Sequence, residues 1–269
     1  MEQAQPFSTH AATAERAESI AAVSAANLQW TRGDDARAKF AERMVASPLV
    51  RPAAREQYQK LATALHRAQT ADGIKTVVVA SAVAGEGKTL TAINLAITLS
   101  HSFGRRVLLV DADFRRPGLH DAFGLPLSPG LADAGQIPSI TPIAVRDTLA
   151  VLPAGAAADP IRALSSDATR AALERAGAPF DWVLLDTPPI GLLSDAQLIA
   201  AHVDRVILVV SAGRTPRGLI QRAVDTFGRD RVLGVVLNRA DDRAVLAAYY
   251  SHYYDHYAHY GSPREAMRR

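Results

Sequence analysis

Short uninterrupted apolar runs alternate along this chain with longer stretches of helical spacing. The runs fall at residues 76–80, 106–110, 149–152, 181–185, 205–210 and 231–237. Helical stretches lie between most of them, at 88–102, 159–176, 195–202 and 217–228. A further one, 55–68, precedes the first run and carries Tyr58, Leu61 and Leu65 at helical spacing. Runs that are apolar on both faces and separated by helices predict an α/β domain whose mostly parallel sheet is covered by helices on both sides. The least regular region is 114–145, where Pro117, Pro126, Pro129, Pro138 and Pro142 break the chain into turns and short helices. No self-similarity at a period of about 20–50 residues occurs, so the chain is no solenoid.

The two ends depart from this alternation and divide the chain in three. Residues 1–52 are rich in Ala, Glu, Arg and Ser and are expected to form a flexible extension, with Leu28, Trp30, Phe40 and Met44 as the apolar anchors of one docking helix. Residues 53–245 form the α/β domain, and 246–269 a tail. Of seven tyrosines only Tyr58 lies in the body; Tyr249, Tyr250, Tyr253, Tyr254, Tyr257 and Tyr260 crowd the tail. Leu246, Tyr250, Tyr253 and Tyr257 could make one stripe of a packed terminal helix, but tyrosines also occupy neighbouring faces and a Gly-Ser-Pro-Arg ending follows. His252, His256 and His259 share the segment without a firm third metal ligand beyond Asp255, and solvated histidines are the expectation.

Composition narrows the classes. The apolar fraction of 48% is ample for a core, and the formal charge of +3 permits acidic partners without demanding them. With no cysteine, disulfides, Fe–S clusters and thiolate metal sites are excluded. No stretch approaches the roughly 18 apolar residues of a membrane span and no signal-peptide pattern opens the chain, so any membrane role is expected to run through a partner.

Chemistry enters where the first run meets the first long helix. Ser81-Ala82-Val83-Ala84-Gly85-Glu86-Gly87-Lys88-Thr89 reads as a phosphate-binding loop, with Ala82 at a place the usual pattern gives to glycine. Gly85 and Gly87 let successive N–H groups turn toward a polyphosphate, and the helix start adds partial positive charge. Lys88 can reach the outer phosphates of ATP, and the Thr89 hydroxyl can ligate the accompanying Mg²⁺. The nucleotide contacts expected here are Ala84, Gly85, Glu86, Gly87, Lys88, Thr89 and Leu90. Two further runs end in acid: Val110 is followed by Asp111-Ala112-Asp113-Phe114-Arg115-Arg116-Pro117, and Leu185 by Asp186-Thr187-Pro188-Pro189. Carboxylates at the ends of buried strands are costly unless paired, solvated or holding a cation, and beside an Mg–nucleotide they have a cation to hold.

With the loop ending Gly-Glu-Gly-Lys-Thr and the Asp111-x-Asp113-x-Arg115 and Asp186-Thr187-Pro188-Pro189 motifs, the chain resembles the bacterial protein-tyrosine kinases (BY-kinases), the autokinases of capsule and exopolysaccharide synthesis. Leu152-Pro153-Ala154-Gly155 with Asp159-Pro160, Ser194-Asp195-Ala196 and Gly234-Val235-Val236-Leu237-Asn238 add to the likeness. The resemblance implies a phosphate-loop NTPase-like fold and a non-specific protein-tyrosine kinase (EC 2.7.10.2) using ATP and Mg²⁺. It makes Lys88, Asp111, Asp113 and Asp186 catalytic. Lys88 would stabilise the transferred phosphoryl group, Asp111 would orient or deprotonate the attacking tyrosine, Thr89, Asp113 and Asp186 would hold the metal, and Asn238 would contact adenine. The tail tyrosines would be the phosphoacceptors, reached in trans through self-association. A membrane-spanning polysaccharide co-polymerase, or chain-length determinant, would activate the kinase and recruit it from the cytoplasm to the inner face of the membrane. A cognate tyrosine phosphatase would reset it, and no nucleic acid is involved. The family's ring-forming Glu-x-x-Arg-x-x-Arg motif meets Glu56, Gln59 and Ala62 here, which removes two bidentate donors.

Two other readings compete. A Min/Par-type positioning ATPase would carry a lysine early in the loop where this chain has Val83. A regulatory protein that binds ATP and transfers little phosphate is compatible with Ala82 and the altered Glu56 motif.

Overall fold

The computed structural model describes residues 40–137, 139–190, 195–200 and 203–240, without side chains at 195–197. A helix α1 (Pro52–Asp72) leads into β1 (Thr76–Ser81), and α2 (Lys88–Phe103) into β2 (Val107–Asp111). Then come α3 (Leu119–Phe123), the hairpin of β3 (Ile143–Arg146) and β4 (Leu149–Leu152), α4 (Pro160–Leu164), α5 (Asp167–Gly177) and β5 (Trp182–Asp186). The order closes with α6 (Asp195–Ala200), β6 (Arg205–Ser211), α7 (Arg217–Phe227) and β7 (Val232–Asn238). The strands make one sheet in the order β3-β4-β2-β5-β1-β6-β7, parallel except for β3.

Alternation along the central strands divides two cores. Val78, Ala80, Leu108, Val110, Val183 and Leu185 face one layer, closed by Ala172, Ala176, Ala223 and Phe227 of α5 and α7. Val77, Val79, Val107, Leu109, Trp182 and Leu184 face the other, closed by α1, α2 and α3. Side chains both above and below the sheet are apolar because both faces are covered. From Thr91 to Ser100, α2 is buried all round, between the sheet on one side and α1 with residues 40–50 on the other. Among its buried polar residues, Asn94 ties the helix to the preceding segment. Its Oδ1 accepts from Val45 N–H at 2.8 Å, and its Nδ2 donates to Arg43 C=O at 3.2 Å.

Phe40 and Met44 dock against the core, Met44 being buried; Leu28 and Trp30 lie outside the described residues. Two expectations are corrected. The stretch 159–176 is two helices, broken where Ser166 Oγ accepts from Thr169 N–H and caps α5. The proline-rich region contains a strand, β3, whose four residues pair antiparallel at the sheet edge with a shift between Ala144 and Arg146. On α1, Glu56 is exposed and paired only with Lys60 among the described residues, while Ala62 is wholly buried. That position cannot present a side chain to a neighbouring subunit. Gln59 lines, with Arg55, Val45, His101 and Arg146, an open cleft of about 660 Å³ remote from the phosphate loop.

Candidate active site

The chain leaves β1 toward β2 on one side of the sheet centre and leaves β5 toward β6 on the other, which opens a crevice at the carboxyl ends of these strands. Register then places the acids. Asp111 is directly opposite Asp186, and Asp186 is opposite Val79, two residues before the phosphate loop begins.

Within the loop, Gly85 and Gly87 take φ of 79° and 93°, the left-handed region where glycine is strain-free. Ala82 needs no such freedom: its methyl is buried in the core beneath the loop, which accounts for a glycine not being required there. Ala84 and Gly85 form the exposed crest, and Leu90 lies half-buried in the first turn of α2. No side chain caps α2, so its leading N–H groups remain available to an anion.

Lys88, Thr89, Asp113 and Asp186 converge. Lys88 Nζ stands 3.1 Å from Asp113 Oδ2, 3.6 Å from Asp186 Oδ1 and 3.5 Å from Thr89 Oγ1. Burial alone would lower the Lys88 pKa, but Asp186, Asp113 and Asp111 outweigh it and the net shift is upward. Burial pushes Asp186 up to about 7, against the pull of Lys88, and Asp111 up to about 6, against three N–H hydrogen bonds. Three carboxylates facing one ammonium leave the cluster with surplus negative charge, and Asp186 Oδ1 is buried without a hydrogen-bond partner. An all-oxygen set of Thr89, Asp113 and Asp186 suits Mg²⁺, which takes few protein ligands and rides with phosphates. No group of three His, Cys, Asp or Glu side chains is placed to hold a metal ion among the described residues.

Asp111 is held from the backbone. It is fully buried, and its oxygens accept from Asp113 N–H at 3.2 Å and from Gly118 and Leu119 N–H at 2.9 Å each. In this arrangement it anchors the segment that carries Asp113, whose Oδ1 in turn accepts from Arg116 N–H at 3.0 Å. Asn238 reaches the loop from β7, its Nδ2 donating to Glu86 C=O at 2.7 Å. The six tail tyrosines and His252, His256 and His259 lie outside the described residues.

Residues 77–263 match the family described as the CobQ/CobB/MinD/ParA nucleotide binding domain. Tyrosine-protein kinase YwqD of Bacillus subtilis is 35% identical over 190 residues, covering 68% of this chain and 80% of that protein. This chain belongs to the bacterial tyrosine-kinase family. The solved kinase domain of VpsO is similar too, at 30% identity and a TM-score of 0.59, covering 70% of this kinase chain and 97% of that one. The succinoglycan biosynthesis transport protein ExoP of Rhizobium meliloti is 34% identical over 177 residues, but the kinase chain spans only 22% of its length.

Some parts of this kinase site had no signal in the sequence. The side chain of Glu86 points away from the loop's mouth into the protein, and two of its partners, Ser211 and Thr215, lie more than a hundred residues downstream. The Gly118 and Leu119 N–H groups that hold Asp111 are backbone, which no residue type advertises.

Proposed function

We propose that this chain is an ATP-dependent protein-tyrosine autokinase that phosphorylates Tyr249, Tyr250, Tyr253, Tyr254, Tyr257 and Tyr260 in trans, and thereby regulates exopolysaccharide or capsule synthesis and chain length. The observation that carries this reading is Lys88 held between Asp113 and Asp186 at the mouth of a phosphate loop, in a chain whose relatives are tyrosine kinases. Phosphoryl transfer requires positioning and charge neutralisation more than covalent help. The acceptor phenolic oxygen attacks the γ-phosphorus; the bond to the β–γ bridging oxygen breaks, and ADP keeps that electron pair. Lys88, half-buried and charged, neutralises the oxygens of the moving group. Thr89, Asp113 and Asp186 would hold Mg²⁺, which supplies further charge neutralisation when bound. Asp111 would orient the attacking phenol or take its proton. Among the described residues its Oδ1 accepts only from Asp113 N–H, which leaves a lone pair for that role.

A membrane-spanning polysaccharide co-polymerase would act as activator and hold the kinase at the inner face of the membrane. The match to part of the larger transport protein ExoP supports such a pairing. Among the described residues no helix is long and apolar enough to cross a membrane. A tyrosine phosphatase would reverse the modification.

Intact-mass spectrometry of the full chain tests the reading, alongside Lys88→Met and a variant with the six tail tyrosines changed to Phe. A ladder of phosphate additions in the parent is expected, slowed about 10³-fold by Lys88→Met and absent without the tyrosines. ATP turnover with no tyrosine phosphate, even with the co-polymerase's cytoplasmic segment added, would replace the kinase by a positioning ATPase.

A further inference from the structure

Glu86 sits between the two glycines of the phosphate loop, yet its side chain is wholly buried and takes no part in the loop's open face. Its Oε2 accepts from Val83 N–H at 2.9 Å, within the loop. Its Oε1 accepts from Ser211 N–H at 3.0 Å and from the Thr215 hydroxyl. Ser211 ends β6, and Thr215 closes the turn that follows, its N–H donating to Ser211 C=O at 3.2 Å. The backbone of the same residue is held from β7, since Glu86 C=O accepts from Asn238 Nδ2 and Ser211 is in register with Asn238. Asn238 presses so closely that a Cβ built at Gly87 would lie 2.2 Å from its amide nitrogen. The ends of β6 and β7 therefore meet the phosphate loop at one residue.

We propose that Glu86 and Thr215 form a positioning pair, through which the turn after β6 sets the shape of the phosphate loop and hence the affinity for nucleotide. The chemistry explains why a carboxylate stands here. Three donors converge on two oxygens, and only an acceptor-only side chain satisfies all of them. A carboxylate behind a phosphate site otherwise opposes binding, because its charge repels the ligand. Glutamine keeps the shape and removes that charge, but it turns an NH₂ group toward either Val83 N–H or the Ser211–Thr215 donors. Position and charge thus predict opposite signs for one substitution.

The test is calorimetric titration of the full chain with Mg–ATP, which reads binding and so stands apart from whether phosphate is transferred. A parent that bound no ATP would remove the nucleotide reading itself; a parent that binds tests the pair. Glu86→Gln is expected to weaken binding about tenfold, the scale of one buried hydrogen bond left unmade. Thr215→Val, which removes the hydroxyl that donates to Glu86, is expected to weaken it about fivefold, and Thr215→Ser to restore it within about twofold. Combined, Glu86→Gln and Thr215→Val should be less than additive, because they cut one network. Tighter binding by Glu86→Gln, or parent-like binding by Thr215→Val, overturns the proposal. Should Glu86→Gln fail to fold, the Val and Ser variants at 215 decide alone.

Discussion

The two ends of the central strands use the same residue type for opposite purposes. At the amino ends, Asp204 accepts from Lys75 N–H, Thr76 N–H and the Thr76 hydroxyl, at 2.8–2.9 Å, and clips β6 to β1. Asp181 accepts from Arg106 N–H and its guanidinium, and clips β5 to β2. Burial raises the pKa of both, but these donors outweigh it and the net shift is downward. At the carboxyl ends, Asp111 and Asp186 are raised to about 6 and about 7, because burial wins over the groups that favour their charge. One end stabilises the charged form; at the other, burial and neighbouring carboxylates outweigh Lys88 and the N–H groups that favour charge. That burial of charge is a cost to the fold and the basis of a site where a polyphosphate and a cation can bind.

The strongest way to break the comparison is Asp186→Asn. It should reduce phosphoryl transfer by about 10²-fold or more, on the scale of losing one preorganised electrostatic group. The same change should stabilise the nucleotide-free fold by roughly 1 kcal/mol, since it removes one of three crowded carboxylates. Thermal denaturation beside a transfer assay checks both signs, and a variant that lost both activity and stability would make Asp186 a structural residue.

A pH profile of stability for metal- and nucleotide-free protein sharpens the contrast. The clips have folded pKa values below the unfolded value of about 3.9, so their contribution is present above that value and is lost as pH falls through the folded pKa. Asp111 and Asp186 bind protons more tightly in the folded state, so between about pH 4 and 7 stability falls as pH rises. The melting temperature is therefore expected to peak on the acid side of neutrality. Asp186→Asn should flatten the upper limb only.

The smallest expected effect is Asp204→Asn, which leaves its shape but presents an amide where three donors converge. Because Asp204 is largely solvated, the loss should be about 1 kcal/mol in chemical denaturation, with nucleotide affinity unchanged. A change in affinity would mean that the two ends are coupled through the sheet.

Much of this was legible along the chain, and the misses have physical causes. Five runs at β1, β2, β4, β5 and β6 announced themselves because a strand covered on both faces can carry little but apolar side chains. The seventh strand of the sheet order, β7, was also legible although Val235 and Leu237 are exposed at its edge. The strand β3 escaped, since four half-exposed residues between prolines give no period. The docking of Phe40 and Met44 was legible from their apolar side chains, but not the Asn94 hydrogen bonds that hold the segment, because a polar residue inside an apolar helix names no partner.

What the sequence determined by itself is the order of elements, the phosphate loop and the acids at the strand ends, because apolar period, glycine turns and strand termination are local properties of the chain. What only the tertiary structure decided is which of those groups meet. Register set Asp111 beside Asp186, the segment after β2 folded Asp113 back onto Lys88, and β6 and β7 brought Ser211, Thr215 and Asn238 to Glu86. These contacts join residues far apart in the chain, and burial, which turns a carboxylate from an ordinary acid into a strained one, exists only once the layers have closed.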